Sequence, residues 1–461
     1  MPRHHHVPRV PGALPLLGHI IPIFRDHLGF LGSAAAHGDI VEIGLGPFRT
    51  LLLTDPGLTR RFLLDDRTFD KGGVFFDRHR QASGNNLVVC PHADHRRQRR
   101  MLQPAFHRTR FPAYAETMTG QIASITGAWQ DGAVIEVFDE MLQITSHTLI
   151  RAMFAVDMSE KALAEMVEDA VYLMDATVRH MALPPLLDRL PTRGNRRSTR
   201  ARTRFRGHMG ALLDDYRKDR VDHGDMLSIL LGVDADGPGV TDTELCDQLQ
   251  IFFMAGIETT ATALAWALQL VAAHPEVERR LTAEADSVCA GRAATWDDLP
   301  ELGYTERVIT EALRLYPPGW FVTRTVSRDT ELGGVPLKKG TTMAYSPYVV
   351  HRRKDLFTDP DAFDPDRWMD VSPAAAGQSG ALLPFGAGPR KCIGDAFAMT
   401  EMVLTLATIA ARWRLVPLTD RPVRSALGTT LHPRGLTMRI TARTALPSSE
   451  PEAAPPTRPP R

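Results

Sequence analysis

The stretch Phe385-Gly386-Ala387-Gly388-Pro389-Arg390-Lys391-Cys392-Ile393-Gly394 decides how this chain is read. Its glycines let the backbone turn tightly and approach a ligand closely. Pro389 stiffens the turn, and Arg390 sets a permanent cation just before the sulfur of Cys392. A free cysteine titrates near pH ~8.5, and a neighbouring cation, a bound metal or the positive end of a helix lowers that value. The run Asp395-Ala-Phe-Ala-Met-Thr-Glu-Met-Val-Leu that follows has a helical pattern and turns such an end toward the sulfur. A structural glycine turn with a small buried thiol is the bland reading; an anionic sulfur held ready for a metal is the sharper one.

The 461 residues exceed an ordinary single domain, yet the 43% of hydrophobic residues is spread evenly and no low-complexity linker divides the middle. The expected organisation is a flexible 1–9, one domain over 10–445, and a proline-rich 446–461 that cannot bury a core. Lys plus Arg and Asp plus Glu number 54 each, so net charge gives no argument for nucleic acid or an acidic partner. Cysteines at 90, 246, 289 and 392 form no Cys-x-x-Cys pair, against a disulfide framework or structural zinc and in favour of a reducing, cytoplasmic setting. The N-terminal part has no signal-peptide pattern and no apolar run of membrane-spanning length. His4, His5 and His6 form a short tract to which no role is assigned.

Taken in order, residues 39–45 and 49–54 around Gly46-Pro47-Phe48 read as a hairpin, and a helix opens near Pro56. Between Phe69 and Val89 no helical period is visible, so a substrate-covering loop is expected. Pro91 and Pro104 bracket a basic helix that places His95 and Arg99, at i and i+4, on one face. They are either a solvated pair or two groups on one anion. Helical periods follow over 115–129, 140–155, 159–180 and 199–220, with an apolar proline-rich connection at 183–195 that is a candidate lid.

The longest helical run is 242–274, apolar through its middle and stopped by Pro275. Inside it Ala255-Gly256-Ile257-Glu258-Thr259-Thr260 breaks local rules: a helix-interior glycine costs about 1 kcal/mol, a buried carboxylate needs a partner, and threonine bonds back to the preceding turn. A bare kink is one reading; a ligand-facing site with an acid and a hydroxyl is the other. Further on, Glu311-Ala-Leu-Arg314 puts an acid and a base on one helix face, and strands are expected at 322–326 and 341–345.

The spacing Phe-x-x-Gly-x-Arg-x-Cys-x-Gly resembles the heme loop of the cytochrome P-450 family. His95-x-x-x-Arg99, Ala255–Thr260 in the form Ala/Gly-Gly-x-Asp/Glu-Thr-Thr, and Glu311-x-x-Arg314 match the same family in the same order. The resemblance implies a mainly α fold with a small β region, with heme b (iron protoporphyrin IX) between the long central helix and the cysteine loop. It makes Cys392 the metal ligand and Phe385 a neighbour of the sulfur. His95, Arg99, Arg324 and Arg390 would hold heme propionates, Gly256 would let cofactor and oxygen approach, and Thr259 and Glu258 would deliver protons. It joins Arg367 to Glu311 and Arg314 as a structural network.

The implied reaction is insertion of one oxygen atom from dioxygen into a hydrophobic substrate, with electrons from an external ferredoxin and ferredoxin reductase. Arg96, Arg97, Arg100 and Lys391 are the expected basic face for that donor. Phe75, Phe76, Phe252, Phe253, Phe321 and Val322 are the expected pocket wall. The segments from Pro11 to His19 and from His95 to Phe106 look similar to bacterial sesquiterpene-oxidising members, which points to terpenoid secondary metabolism, such as antibiotic biosynthesis; fatty acids and polyketides stay open. A peroxide-using or isomerising heme-thiolate enzyme and a non-catalytic heme sensor are the rival functions.

Overall fold

The computed structural model describes residues 7–154, 159–182, 190–219, 225–232, 241–419 and 421–443. The histidine tract at 4–6, most of the candidate lid at 183–195, and the tail from 446 lie outside the described residues, as does the Phe75 side chain.

The hairpin forms as β1 (Ile40–Leu45) and β2 (Phe48–Leu53), antiparallel, with Gly46 in the left-handed region at φ 63°. Next come α1 (Pro56–Leu64), capped by the Asp55 carboxylate on the Leu58 N–H, the two-residue strand β3 (Phe69–Asp70), and α2 (Gly73–Ser83). This last helix corrects the expected loop. It is short, begins on a glycine pair and ends at Gly84 with φ 78°, so its own sequence carries little helical signal. Tertiary bonds supply the rest: Arg80 donates to the carbonyls of Lys71 and Val89 on either side of it.

The basic helix is α3 (His92–Leu102), followed by α4 (Phe111–Gly127), α5 (Val137–Met153), α6 (Glu160–Ala182) and α7 (Arg193–Asp219). The last begins earlier than its apolar period suggested, because its first turns are arginine-rich and polar. The long helix is α8 (Asp242–Ala273), started by the Thr241 hydroxyl on the Glu244 N–H. It is long and apolar enough to cross a membrane, but 78% of its most apolar stretch is buried among the other helices. After α9 (Pro275–Cys289) and α10 (Gly303–Leu315) come β4 (Val322–Val326) and β5 (Thr342–Tyr345), and α11 (Asp395–Arg412) leaves the cysteine loop.

The strands form a five-stranded sheet in the order β1-β2-β5-β4-β3, with the β2–β5 pair parallel. A second sheet, which the sequence did not announce, pairs Thr437–Ala442 with both Val134–Glu136 and Trp413–Pro417. The fold is thus mostly helical with small β regions. The main core lies where α4, α5, α8, α10 and α11 meet, and a separate apolar cluster lies under the five-stranded sheet. Burying a leucine or phenylalanine there contributes about 1.5–3 kcal/mol, which keeps α8 and α11 fixed relative to each other. Helix α8 carries Gly256, Glu258 and Thr259, α11 anchors the cysteine loop that runs into it, and α3 and β4 bring His95, Arg99 and Arg324.

Candidate active site

The cysteine loop is shaped by its glycines. Gly386 and Gly388 take φ of 68° and 71°, and a Cβ on Gly388 would stand 2.5 Å from the Leu63 carbonyl oxygen. Only glycine lets the loop lie against the end of α1 in this way. The Cys392 N–H donates to the Phe385 carbonyl at 2.9 Å, closing the turn beneath the sulfur, while the Phe385 ring packs on the main core. Helix α11 starts directly after Gly394, so its positive end adjoins the thiol. Cys392 is the one exposed cysteine of the four. Its loop crowds the sulfur closely enough that desolvation pushes the thiol above its ordinary value, while the Gly394 amide, Arg99 and Lys391 pull the other way. A bound metal cation overturns that balance in favour of thiolate.

Beside the loop lies a buried cluster of cations. Arg390 is 2% exposed at its side chain, with Nε on Asp66 at 3.0 Å, Nη2 on Asp70 at 3.1 Å and Nη1 on the Cys90 carbonyl at 2.8 Å. Arg324, at 3% exposure, donates from Nη1 to the carbonyls of Phe62 and Leu63, and its Nε is buried with no hydrogen-bond partner among the described residues. Lys71 donates to the Val88 carbonyl, and burial, Arg390 and Arg324 bring its ammonium down to about 7. His95 is pushed down to about 3, first by burial and then by Arg390 and Lys71. Arg99, which also depresses His95, donates from Nη1 to the Lys391 carbonyl at 2.7 Å, tying α3 to the cysteine loop.

Against these cations stand Asp66 and Asp70. Positive groups that depress one another's proton affinity, with an orphaned Arg324 Nε among them, form a site for further negative charge. The two propionates of a heme fit that requirement, and Cys392 fits its iron. Lys71, Asp66 and Asp70 were not singled out in the sequence. They stand in a glycine-rich stretch without periodicity, and it is the pairing of β3 with β4 that brings them beside Arg324.

On the opposite side is α8. Gly256 opens space that α5 takes up: a Cβ there would meet Leu149 Cδ2 at 2.9 Å. In this structure the close approach that the glycine permits is therefore helix on helix. The Thr259 hydroxyl donates to the Ala255 carbonyl at 2.6 Å and the Thr260 hydroxyl to that of Gly256 at 2.9 Å. Thr145 of α5 adds a bond to the Ile257 carbonyl at 3.1 Å. Three side-chain hydroxyls thus donate to the carbonyls of one turn of α8, which stays α-helical throughout. Thr259 is half-buried, whereas its neighbour Glu258 is 5% exposed and accepts from Thr430.

One ring spans the two sides. The Phe106 Cε1 lies 3.4 Å from where a Gly394 Cβ would be, and its ring meets Phe252 of α8 edge-on at 5.6 Å. The pocket wall needs correction at Phe253, which is fully buried against Phe205 of α7 at 5.3 Å. Phe76 lies near Lys71 Nζ, and Phe321 packs on Trp320. The expected basic face also thins: Arg97 is paired with Glu244 and Lys391 with Asp395.

The third sequence motif is structural. The Arg314–Glu311 pair is fully buried, and Glu311 also accepts from Arg367 Nε at 3.3 Å and Trp368 Nε1 at 2.9 Å. The arrangement as a whole can hold an iron porphyrin by sulfur and by its acid groups, with a threonine hydroxyl on the facing helix and a buried carboxylate one residue before it.

The family model described as Cytochrome P450 matches residues 8–439. The pentalenene oxygenase of Streptomyces avermitilis is 44% identical over 438 residues, covering 94% of this chain and 97% of that protein. The cyclooctat-9-en-7-ol 5-monooxygenase of Streptomyces melanosporofaciens is 45% identical, over 88% of this chain and 89% of its own. Cyclooctatin synthase of the same organism is 43% identical, over 92% and 93%.

Proposed function

The chain belongs to the cytochrome P450 family, and from that premise we propose that it is a heme b monooxygenase of a compact cyclic terpenoid, fed by an external ferredoxin and its reductase. When bound, the heme supplies the activation of dioxygen. The chain's own residues do the rest. Cys392 would give the sulfur, Lys71, Arg324, Arg390 and His95 would receive the acid groups, and Arg99 braces the cysteine loop. Thr259 holds its hydroxyl on the Ala255 carbonyl. Glu258 is the acid next to it, and together they hold the protons that the reaction consumes.

The terpenoid reading is carried by near-full-length similarity to relatives whose names contain pentalenene and cyclooctatin. The aromatic pair Phe106 and Phe252 between the two halves of the site supports an apolar substrate. A groove of about 700 Å³ beside the cysteine loop, lined in part by Arg60, Gly388, Lys391 and Met399, supports a donor docking at that face. A cytoplasmic setting goes with four free thiols.

The test is titration of the loaded protein with cyclic sesquiterpenes and diterpenes alongside fatty acids, following the heme spin-state band. A shift at low micromolar concentration with a cyclic terpene, and product carrying one added oxygen, is the expected result. A response to fatty acids alone would overturn the substrate class and leave the family intact.

A further inference from the structure

Glu258 and Thr259 are neighbours on α8, and successive helical residues point about 100° apart. They therefore face different surroundings. Thr259 is half-buried, and Glu258 is turned into a buried pocket formed with the loop that precedes the last strand. In that pocket the Thr430 hydroxyl donates to Glu258 Oε1 and accepts from Thr262 Oγ1 at 3.1 Å. Thr262 is one turn beyond Glu258 on the same face of α8. Thr430 is 2% exposed and Thr262 not at all.

The loop does not depend on this bond for its place. The indole of Trp266, on α8, donates to the Leu431 carbonyl, and that of Trp320 to the Gly428 carbonyl at 3.2 Å. Ala426 N–H donates to the His432 carbonyl and Arg434 N–H to the Arg424 carbonyl, both at 2.8 Å, closing the loop on itself. A hydroxyl mounted on backbone fixed at both ends is pre-organised. What it adds is the position of one carboxylate oxygen.

We propose that Thr430 is a positioning residue for the proton-delivering carboxylate: the ordered chain Thr262 Oγ1 to Thr430 Oγ1 to Glu258 Oε1 fixes where that carboxylate rests and how readily it turns toward Thr259. The inference deepens the proposed oxygenase function and rests on it. It predicts that the hydroxyl of Thr430, not its bulk, governs how electrons divide between product and peroxide.

The experiment compares Thr430→Val with Thr430→Ser in the heme-loaded protein. Val keeps the shape and removes the hydroxyl; Ser restores the hydroxyl. With Val, heme content and the substrate spin shift stay at the wild-type level, product per electron falls about tenfold, and the solvent isotope effect on product formation rises. Ser recovers the wild-type ratio. The carboxylate infrared band of Glu258, assigned by difference from Glu258→Gln in resting protein, shifts with Val and returns with Ser. Thr262→Val, which cuts the second link without touching Glu258, moves both readouts the same way and by less.

Wild-type coupling and an unmoved band in Thr430→Val would overturn the inference while leaving the oxygenase reading standing. A loss that Ser does not restore would also overturn it, since bulk would then be the cause. A wild-type protein that makes no oxygenated product would instead remove the reading beneath it.

Discussion

Arg314 closes on Glu311 with two hydrogen bonds of 2.8 Å, and both side chains are wholly shielded from solvent. The arginine's remaining donors reach the carbonyls of His351, Pro360 and Ala362. It thereby pins the irregular chain between β5 and the cysteine loop to α10. A charge this buried cannot lose its partner cheaply. Arg314→Ala is expected to destabilise the protein by about 3–5 kcal/mol, read as a fall in the denaturant midpoint; an unchanged midpoint would deny the network its structural role.

Gly388 offers a second structural test. Its φ is +71° and an added Cβ meets the Leu63 carbonyl oxygen at 2.5 Å, a backbone atom that has little room to yield. Gly388→Ala is expected to cost about 1–3 kcal/mol and to lower heme retention, because the strain falls on the loop that carries Cys392. Full heme content and unaltered melting would show that the loop tolerates a side chain there.

Thr259→Ala should separate binding from chemistry. Among the described residues the hydroxyl bonds only to the backbone of its own helix, so its removal leaves packing nearly intact. Heme loading is expected to persist, product formation to fall by roughly 10²-fold, and peroxide to appear in its place. Retained coupling would take Thr259 out of proton delivery.

Glu401 sets a pH dependence. Burial raises its carboxyl from 4.5 to about 8, and the Thr148 hydroxyl only partly offsets that. Between those values the unfolded chain has released this proton and the folded chain keeps it, so the group's contribution to stability declines as pH rises through that window and levels off above it. Glu401→Gln keeps an acceptor for Thr148 and removes the titration. The variant is expected to match the wild type near pH 4 and to exceed it by a few kcal/mol at pH 8. Parallel stability curves across that range would contradict the buried neutral acid.

The long apolar helix, the cysteine loop and the Glu311–Arg314 pair were legible because each is local: a period, a run of glycines, an i to i+3 spacing. Helix α2 was not, since it is held by Arg80 reaching carbonyls outside it. Lys71 and Thr430 escaped for a related reason. Lys71 acquires its charge environment from Arg390 and then Arg324, both far along the chain, and Thr430 meets Glu258 across 172 positions. The direction of Phe253, into α7 rather than into the pocket, depends on which side of α8 its neighbours occupy. Arg97 had basic surroundings in the sequence and an acidic partner in space.

The absorption spectrum of the reduced, carbon monoxide-treated protein tests most directly whether Cys392 is the thiolate ligand of a heme. The wild type is expected to show the strongly red-shifted Soret band of thiolate ligation, and Cys392→Ser, with Cys90, Cys246 and Cys289 intact, to lose it. A protein that takes up no heme, or whose Cys392→Ser variant keeps the red-shifted band, would contradict the account.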